Sequence, residues 1–290
     1  MASVDDSPVF RPLRRDELDT ALDWAAAEGW NPGLADAEAF WAADPGGFWA
    51  LEVAGALIGT ASTVVYGEGQ LGFVGLFIVR PEWRGRGLGS RFWRFFIDRL
   101  QGRLAPGGGA ALDGVFAMQA YYARSGFRFT HRSLRMEGRA QPGAVDPRLC
   151  DATTPDFAQV LAFDRLCFGA ERRDFLRLWL RPEGGRALAW CGPGGSVRGY
   201  GVVRPCRNGF KIGPLFAEEP AVAEALFAGL SAHAAGAPLF LDIPENHPEA
   251  VALAARHGLR EGFGCARMVT DGFPALPWER VYGVTSFELG

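Results

Sequence analysis

Val79-Arg80-Pro81-Glu82-Trp83-Arg84-Gly85-Arg86-Gly87-Leu88-Gly89-Ser90 is the stretch on which the reading of this chain turns. An apolar run, Leu71 to Val79, leads into it and predicts a strand. A helical pattern leads out, with Phe92, Phe95, Phe96 and Leu100 on one side and Arg91, Arg94 and Asp98 elsewhere. Glycines at such a strand-to-helix turn let the backbone approach a ligand and aim several N–H groups one way. Added to the positive end of the helix dipole, those groups suit an anion such as a pyrophosphate. Arg84 and Arg86 add charge-assisted donors. The spacing is neither the dinucleotide fingerprint nor the nucleotide P-loop, and no G-x-x-x-x-G-K-[ST] occurs in the chain.

Outward from the loop, the first half alternates elements. Phe10 to Leu13 predicts a strand, Asp16 to Glu28 a helix, and Ala35 to Ala43 a second helix beyond the break at Gly29-Trp30-Asn31-Pro32-Gly33. Phe48 to Val53, Leu57 to Tyr66 and Leu71 to Val79 follow with small turns between them, the pattern of an antiparallel meander. A short strand near Ala110 to Leu112, a helix near Gln119 to Ser125 and extended chain from Phe127 to Met136 complete the set. Ala140-Gln141-Pro142-Gly143-Ala144-Val145-Asp146-Pro147 reads as a linker. Beyond it the landmarks return in order. Gly126-Phe127-Arg128, Arg135 and Met136 match Gly258-Leu259-Arg260, Arg267 and Met268 without a gap, and Leu112-Asp113 matches Leu241-Asp242. Two copies of one fold are expected, over residues 1–139 and 149–290, joined by 140–148.

The loop resembles motif A of the GNAT superfamily of N-acetyltransferases, [Q/R]-x-x-G-x-[G/A] after the fourth strand, here Arg84-x-x-Gly87-x-Gly89. A second landmark of that family, a Tyr four residues before a Gly-Phe pair, falls at Tyr122 with Gly126-Phe127. The resemblance covers residues 10 to 136 and implies an α+β fold. Each copy would be a mixed, mostly antiparallel sheet flanked by helices. It further implies acetyl-CoA as co-substrate, lying where the fourth and fifth strands splay. The pantetheine arm would lie on the backbone of Phe77, Ile78 and Val79, beside a bulge. The pyrophosphate would sit on the turn Arg84, Gly85, Arg86, Gly87, Leu88, Gly89 and Ser90, and Gln119 would point toward the coenzyme. Tyr122 would be the general acid for the departing thiolate, while Tyr121 reads as packing.

Trp30 and Asn31 lie where the family's first helix-to-helix loop covers the acceptor. Phe73 to Val79 carries no carboxylate, a departure from relatives that place a glutamate on the fourth strand. The base is then either a water relay or an acid from a neighbouring loop, with Glu28, Asp36 and Glu68 as candidates of low weight, each read first as a solvated charge. The implied function is acetyl transfer to a primary amine of a small molecule. A coenzyme A sensor without turnover and a protein N-acetyltransferase are the alternatives.

The second copy departs at Ala217-Glu218-Glu219-Pro220, which has neither glycines nor an arginine, and Tyr122 corresponds to Ala254. It is expected to bind no coenzyme A and instead to shape the acceptor pocket or stabilise the first half. Asp242-Ile243-Pro244-Glu245-Asn246 is a possible acceptor contact.

Composition narrows the remaining classes. The 290 residues are 48% hydrophobic with a formal net charge of −3. Their interspersed charges argue against a nucleic-acid partner. No apolar window is long enough to span a membrane, and Met1 to Asp6 has no leader pattern. The five cysteines show no C-x-x-C and read as small core residues. The four histidines show no metal spacing, so no metal is expected. A cytoplasmic protein is the expectation, and the sequence assigns no oligomeric state. Lys211, the one lysine, reads as composition bias.

Overall fold

The computed structural model describes residues 7–143 and 145–290. The leader reading of Met1 to Asp6, and Ala144 within the linker, lie outside these residues. Strands β1 (Val9–Pro12), β2 (Phe48–Val53), β3 (Ala56–Tyr66) and β4 (Leu71–Val79) pair antiparallel in succession, the expected meander. Helices α1 (Arg15–Ala27) and α2 (Asp36–Ala43) fill the first connection. Helix α3 (Leu88–Gln101) then crosses over to β5 (Gly109–Gly114), which runs parallel to β4. Phe92, Trp93, Phe96, Ile97 and Leu100 bury one face of α3. Each such side chain contributes about 1.5–3 kcal/mol by leaving water. The short helix α4 (Gln119–Ala123) precedes β6 (Arg128–Arg139).

The second half repeats the order with β7 (Leu149–Asp151), α5 (Phe157–Phe168), α6 (Arg173–Trp179), β8 (Arg186–Cys191), β9 (Val197–Pro205), β10 (Phe210–Ala217), α7 (Pro220–His233), β11 (Pro238–Pro244), α8 (Pro248–Arg256) and β12 (Arg260–Val269). A final strand, β13 (Val281–Gly283), ends the chain's regular structure. The expected class, α+β with two GNAT-like units of mixed, mostly antiparallel sheet flanked by helices, is the one observed.

The two units share one sheet in the order β1-β2-β3-β4-β5-β12-β6-β11-β10-β9-β8-β7. The last strands have changed places: β12 of the second half lies on β5 of the first, and β6 of the first lies on β11 of the second. The repeated residues are the ones that make the exchange. Arg135 stands opposite Asp242 and binds it through Nε–Oδ1 and Nη2–Oδ2, both 2.7 Å. Arg267 stands opposite Asp113 and binds it at 2.9 and 2.5 Å. All four side chains are at most 4% exposed. Each half thus carries an Asp whose counter-ion comes from the other half. Residues 140–148 separate two stretches of chain but not two sheets.

His131 lies opposite Arg267 on the β6–β12 pair, buried against the Trp278 ring at 4.5 Å. Burial, helped by the Arg267 charge, lowers its pKa to about 3. The unfolded imidazole, near 6.5, binds a proton first, so the stability that neutral His131 contributes is complete above about pH 6.5 and is lost toward pH 3. The loss should approach about 1.4 kcal/mol per pH unit within that window. Tm measured from pH 7 to 4 should fall more steeply for the native chain than for His131→Gln.

The cysteines divide. Cys167, Cys206 and Cys265 are buried as expected, whereas Cys150 and Cys191 meet on the β7–β8 pair with Sγ atoms 2.7 Å apart. Spacing in sequence does not foretell that approach, because the two strands are 41 positions apart in the chain. No helix among the described residues is long and apolar enough to cross a membrane.

Candidate active site

The β3–β4 pairing supplies the local distortion on which the site is built. Thr60 faces Ile78 and Ser62 faces Gly75, so Ala61 alone opposes both Leu76 and Phe77. This bulge puts Leu76 at φ +47°, a left-handed conformation rare for a branched side chain. The Thr60 hydroxyl anchors it by donating to the Leu76 carbonyl at 3.1 Å. Pairing between β4 and β5 ends at Val74–Leu112, and beyond that point the two strands diverge around a cavity of about 560 Å³. Its lining on the β4 side runs from Val74 through Val79.

At the end of β4 the chain passes through Arg84 to Gly85 and Gly87, both at φ +75°. Only glycine takes that conformation without strain, and it turns the loop into α3. Gly87 caps the helix, and Gly85, Gly87, Gly89 and Ser90 all line the cavity. The Arg84 guanidinium is held by the Val79 carbonyl at 2.7 Å and is ion-paired with Glu28.

Tyr122 enters from the opposite side. Its ring lies 5.0 Å from Trp93 and so close to Gly114 that a Cβ there would sit 2.3 Å from Cε2. That contact accounts for a glycine at the end of β5. The phenol is 8% exposed. Desolvation, with smaller contributions from Cys265 and Tyr121, pushes its pKa up to about 12. It therefore keeps its proton across the neutral range.

The part of the lining that Trp30, Phe263, Cys265 and Phe287 supply has a different character. Trp30 comes from the loop after α1, Phe263 and Cys265 from β12, and Phe287 from the segment after β13. Behind them the Arg135 guanidinium lies 5.7 and 5.0 Å from the Phe263 and Phe287 rings. Its Nη1 donates to the Trp30 carbonyl at 2.5 Å.

Of the residues singled out from sequence, Trp30, Phe77, Ile78, Val79, Arg84, Gly85, Gly87, Gly89, Ser90 and Tyr122 converge on this cavity. Four do not line it. Asn31 turns away to the β9–β10 turn, where its amide bonds Asn208 O at 3.0 Å and receives Asn208 N at 2.8 Å. Arg86 is exposed and stacks on Trp83 at 4.9 Å. Leu88 opens α3 half-buried, packed on the core beneath it. Gln119 begins α4, and Val115 and Met118 line the wall instead.

Among the base candidates, Glu28 lines the cavity but is tied to Arg84, and Glu68 is exposed. Asp36, read as a surface charge, is buried and bound to Arg204 at 2.7 and 3.1 Å, with Gly33 N donating at 2.7 Å. Asp242, a possible acceptor contact from sequence, is sealed in its pair with Arg135. Sequence reasoning missed Val74, Gly75 and Leu76, which only the splay of β4 exposes. It also missed Phe263, Cys265 and Phe287, which no local signal connects to the first half. Among the described residues, no group of three or more His, Cys, Asp or Glu is arranged to hold a metal.

The equivalent opening in the second half is filled by the chain itself. Pairing of β10 with β11 ends at Ile212–Leu241. Beyond it, β13 lies on β10 through Leu215–Gly283 and Phe216–Val281, and Val284 N donates to Asp242 O at 2.8 Å. No glycine turn follows β10. Glu218 and Glu219 pair with Arg198 at 3.0 and 3.2 Å, and α7 begins directly at Pro220.

Comparison with known proteins agrees with this geometry in both halves. Residues 14–127 match the profile of the acetyltransferase (GNAT) family, and residues 160–283 match that of an acetyltransferase (GNAT) domain. The chain belongs to the GNAT family. This tandem GNAT protein is 27% identical to holothin acyltransferase of Pseudoalteromonas sp. (strain SANK 73390) over 283 residues, covering 97% of this chain and 94% of the relative. It is 26% identical to the uncharacterized N-acetyltransferase YitH of Bacillus subtilis (strain 168), covering 81% and 82%. Among solved structures it resembles a putative acetyltransferase from Pyrococcus horikoshii with TM-score 0.82, at 20% identity, covering 98% and 96% of the two chains. A tandem GNAT protein from the clavulanic acid biosynthesis pathway matches with TM-score 0.63, at 16% identity, covering 93% and 100%. These structural likenesses establish the GNAT fold, and the family is one of acyltransferases.

Proposed function

We propose that this GNAT protein transfers an acetyl group from acetyl-CoA to an amine of a small molecule, in a ternary complex formed in the first half. The observation that carries the reading is the Leu76 bulge. It opens into a single cavity lined at one end by the glycine turn and on its far wall by the Tyr122 phenol. The diphosphate would lie on the turn after β4, with the pantetheine arm along Phe77 to Val79. The thioester carbonyl would then face the bulge, where a free backbone N–H serves as an oxyanion donor. Held beside the thioester, the amine nitrogen attacks the carbonyl carbon, so much of the acceleration comes from placing two reactants together. The C–N bond forms, the C–S bond breaks, and Tyr122 gives its proton to the departing sulfur. The proton shed by nitrogen restores the phenol.

The second half serves this site without a cofactor of its own. Its contribution is Phe263, Cys265 and Phe287 at the acceptor end, while β13 fills the second half's own corresponding opening beside β10. The 27% identity with an acyltransferase named for holothin, spread over nearly the whole chain, supports a small acceptor over a protein substrate.

Acetyl-CoA should raise Tm, and Arg84→Glu should remove that shift by setting a carboxylate against the diphosphate. At saturating ligand, about 100 Kd, the lost stabilisation is about 2.7 kcal/mol. An undiminished shift in the variant would place the coenzyme elsewhere.

A further inference from the structure

Acetyl transfer, as proposed above, needs a group that frees the lone pair of the incoming nitrogen, and β4 carries none. Resting on that reading, we propose that the Glu288 carboxylate binds the acceptor as an alkylammonium and takes its proton, which makes the substrate a basic primary amine on an apolar body. Among the described residues, Glu288 is the one carboxylate buried with neither oxygen hydrogen-bonded, and the residue is 1% exposed. The other carboxylates around the site are committed. Glu28 is paired with Arg84, Asp113 with Arg267 and the Ser133 hydroxyl, Asp36 with Arg204, and Asp242 with Arg135.

Its neighbours set Glu288 at the patch that Trp30, Phe263, Cys265 and Phe287 form on the lining. It follows Phe287 directly, and its main-chain oxygen would lie 1.9 Å from a Cβ built on Gly75, a lining residue at the bulge. Its charge acts on the Cys265 thiol and on three buried cations, Arg135, Arg204 and Lys211. None of the three donates to it. Arg135 forks onto Asp242 with both contacts at 2.7 Å, and Arg204 forks onto Asp36 at 2.7 and 3.1 Å. Lys211 Nζ lies 3.8 Å from Asp242 Oδ2 and 3.4 Å from the Trp30 carbonyl, and burial lowers its pKa. The nearby Cys206 and Cys265 thiols are pushed up by burial and stay uncharged at neutral pH.

A buried carboxylate without a donor is costly, and an ammonium supplies the missing donors as charge-assisted hydrogen bonds. The rings of Trp30, Phe263 and Phe287 would cover the apolar body of such a guest. An alkylamine resembling the lysine side chain is neutral in only about one molecule in 10³ at pH 7, so a base has much to contribute. Proton transfer turns R–NH3⁺ and carboxylate into R–NH2 and carboxylic acid, and the freed lone pair attacks the thioester carbon. Tyr122 protonates the departing sulfur and is restored by the second proton shed from nitrogen. The proton on Glu288 leaves to water with the product. The sum is R–NH3⁺ and acetyl-CoA giving the amide, the CoA thiol and one proton.

The test follows thiol release by the full chain from acetyl-CoA and 2-phenylethylamine. For the native chain kcat/KM should stay level from about pH 7 to 8.5, where the amine is a cation. Glu288→Gln, left with the neutral amine alone, should lose about 10³-fold at pH 7 and recover about tenfold per pH unit. Glu288→Asp should restore the level profile at a lower kcat. With free CoA bound at pH 7, 2-phenylethylamine should raise Tm of the native chain and leave that of Glu288→Gln unmoved. An undiminished acetyl-CoA shift in Glu288→Gln reports that the variant is folded with its coenzyme site intact. Its urea midpoint should not fall, because the amide replaces a carboxylate that had no donor. A level profile in Glu288→Gln would reduce Glu288 to a counter-ion of the buried cations and overturn the inference. No Tm response of the native chain to 2-phenylethylamine would overturn it too, and either result leaves acetyl transfer standing. Loss of both the acetyl-CoA shift and all thiol release in the native chain would instead sink the proposed function beneath it.

Discussion

Tyr122→Phe is expected to lower kcat for amine acetylation by about 10²- to 10⁴-fold, the range in which a positioned general acid acts. The acetyl-CoA-induced rise in Tm should stay within error of the native chain. The ring would keep its place between Trp93 and the Gly114 backbone, so the variant removes one proton and little packing. Burial pushes the phenol's pKa up to about 12, so the proton is in place across the neutral range. The sulfur gains charge and basicity as the C–S bond breaks, so the proton is taken up as cleavage proceeds. A variant with native kcat would remove Tyr122 from the reaction and leave it as a packing residue of α4.

The second large effect is on stability. Asp242→Ala strands the Arg135 guanidinium, 2% exposed, beneath Phe263 and Phe287. Removing one partner of a buried ion pair costs about 3–5 kcal/mol, measured as a fall in the urea midpoint. Arg135→Met combined with Asp242→Leu should recover only part of the loss, because fully buried Lys211, whose Nζ lies 3.8 Å from Asp242 Oδ2, loses its carboxylate as well. A single-variant loss under about 1 kcal/mol would mean that the exchanged strands are held by the backbone ladder alone. Asp242→Ala should also weaken acetylation, since Arg135 fixes the Trp30 carbonyl at the acceptor end. In the mirrored pair Asp113–Arg267, the carboxylate lies on the lining itself, so Asp113→Asn should impair turnover more than its cost in stability explains.

These two effects fall on opposite sides of what local sequence reveals. Tyr122 is legible because it stands a fixed four residues before the Gly126-Phe127 pair that follows α4. The glycine turn is legible for the same reason: Gly85 and Gly87, both at positive φ, lie in the short stretch between the end of β4 at Val79 and the start of α3 at Leu88. Arg135 and Asp242 were visible as repeat landmarks, but the repeat placed each beside its own copy. Nothing in a single strand's pattern states whether it lies on its own half or the other, since β6 and β12 carry the same Arg-Met landmark and fit either neighbour.

The sequence by itself determined the succession of elements, the meander, the turn after β4, the tyrosine and the loss of the cofactor features from the second copy. All of these are set by spacings of a few residues, where backbone conformation and side-chain period act directly. Tertiary structure alone decided that β6 and β12 trade places, that β13 closes the second opening, and that Phe263, Cys265 and Phe287 reach the first half's cavity. Those outcomes depend on which of two similar edges a strand finds once the chain has collapsed. The difference in free energy between them resides in contacts more than a hundred residues apart, such as Arg135 with Asp242.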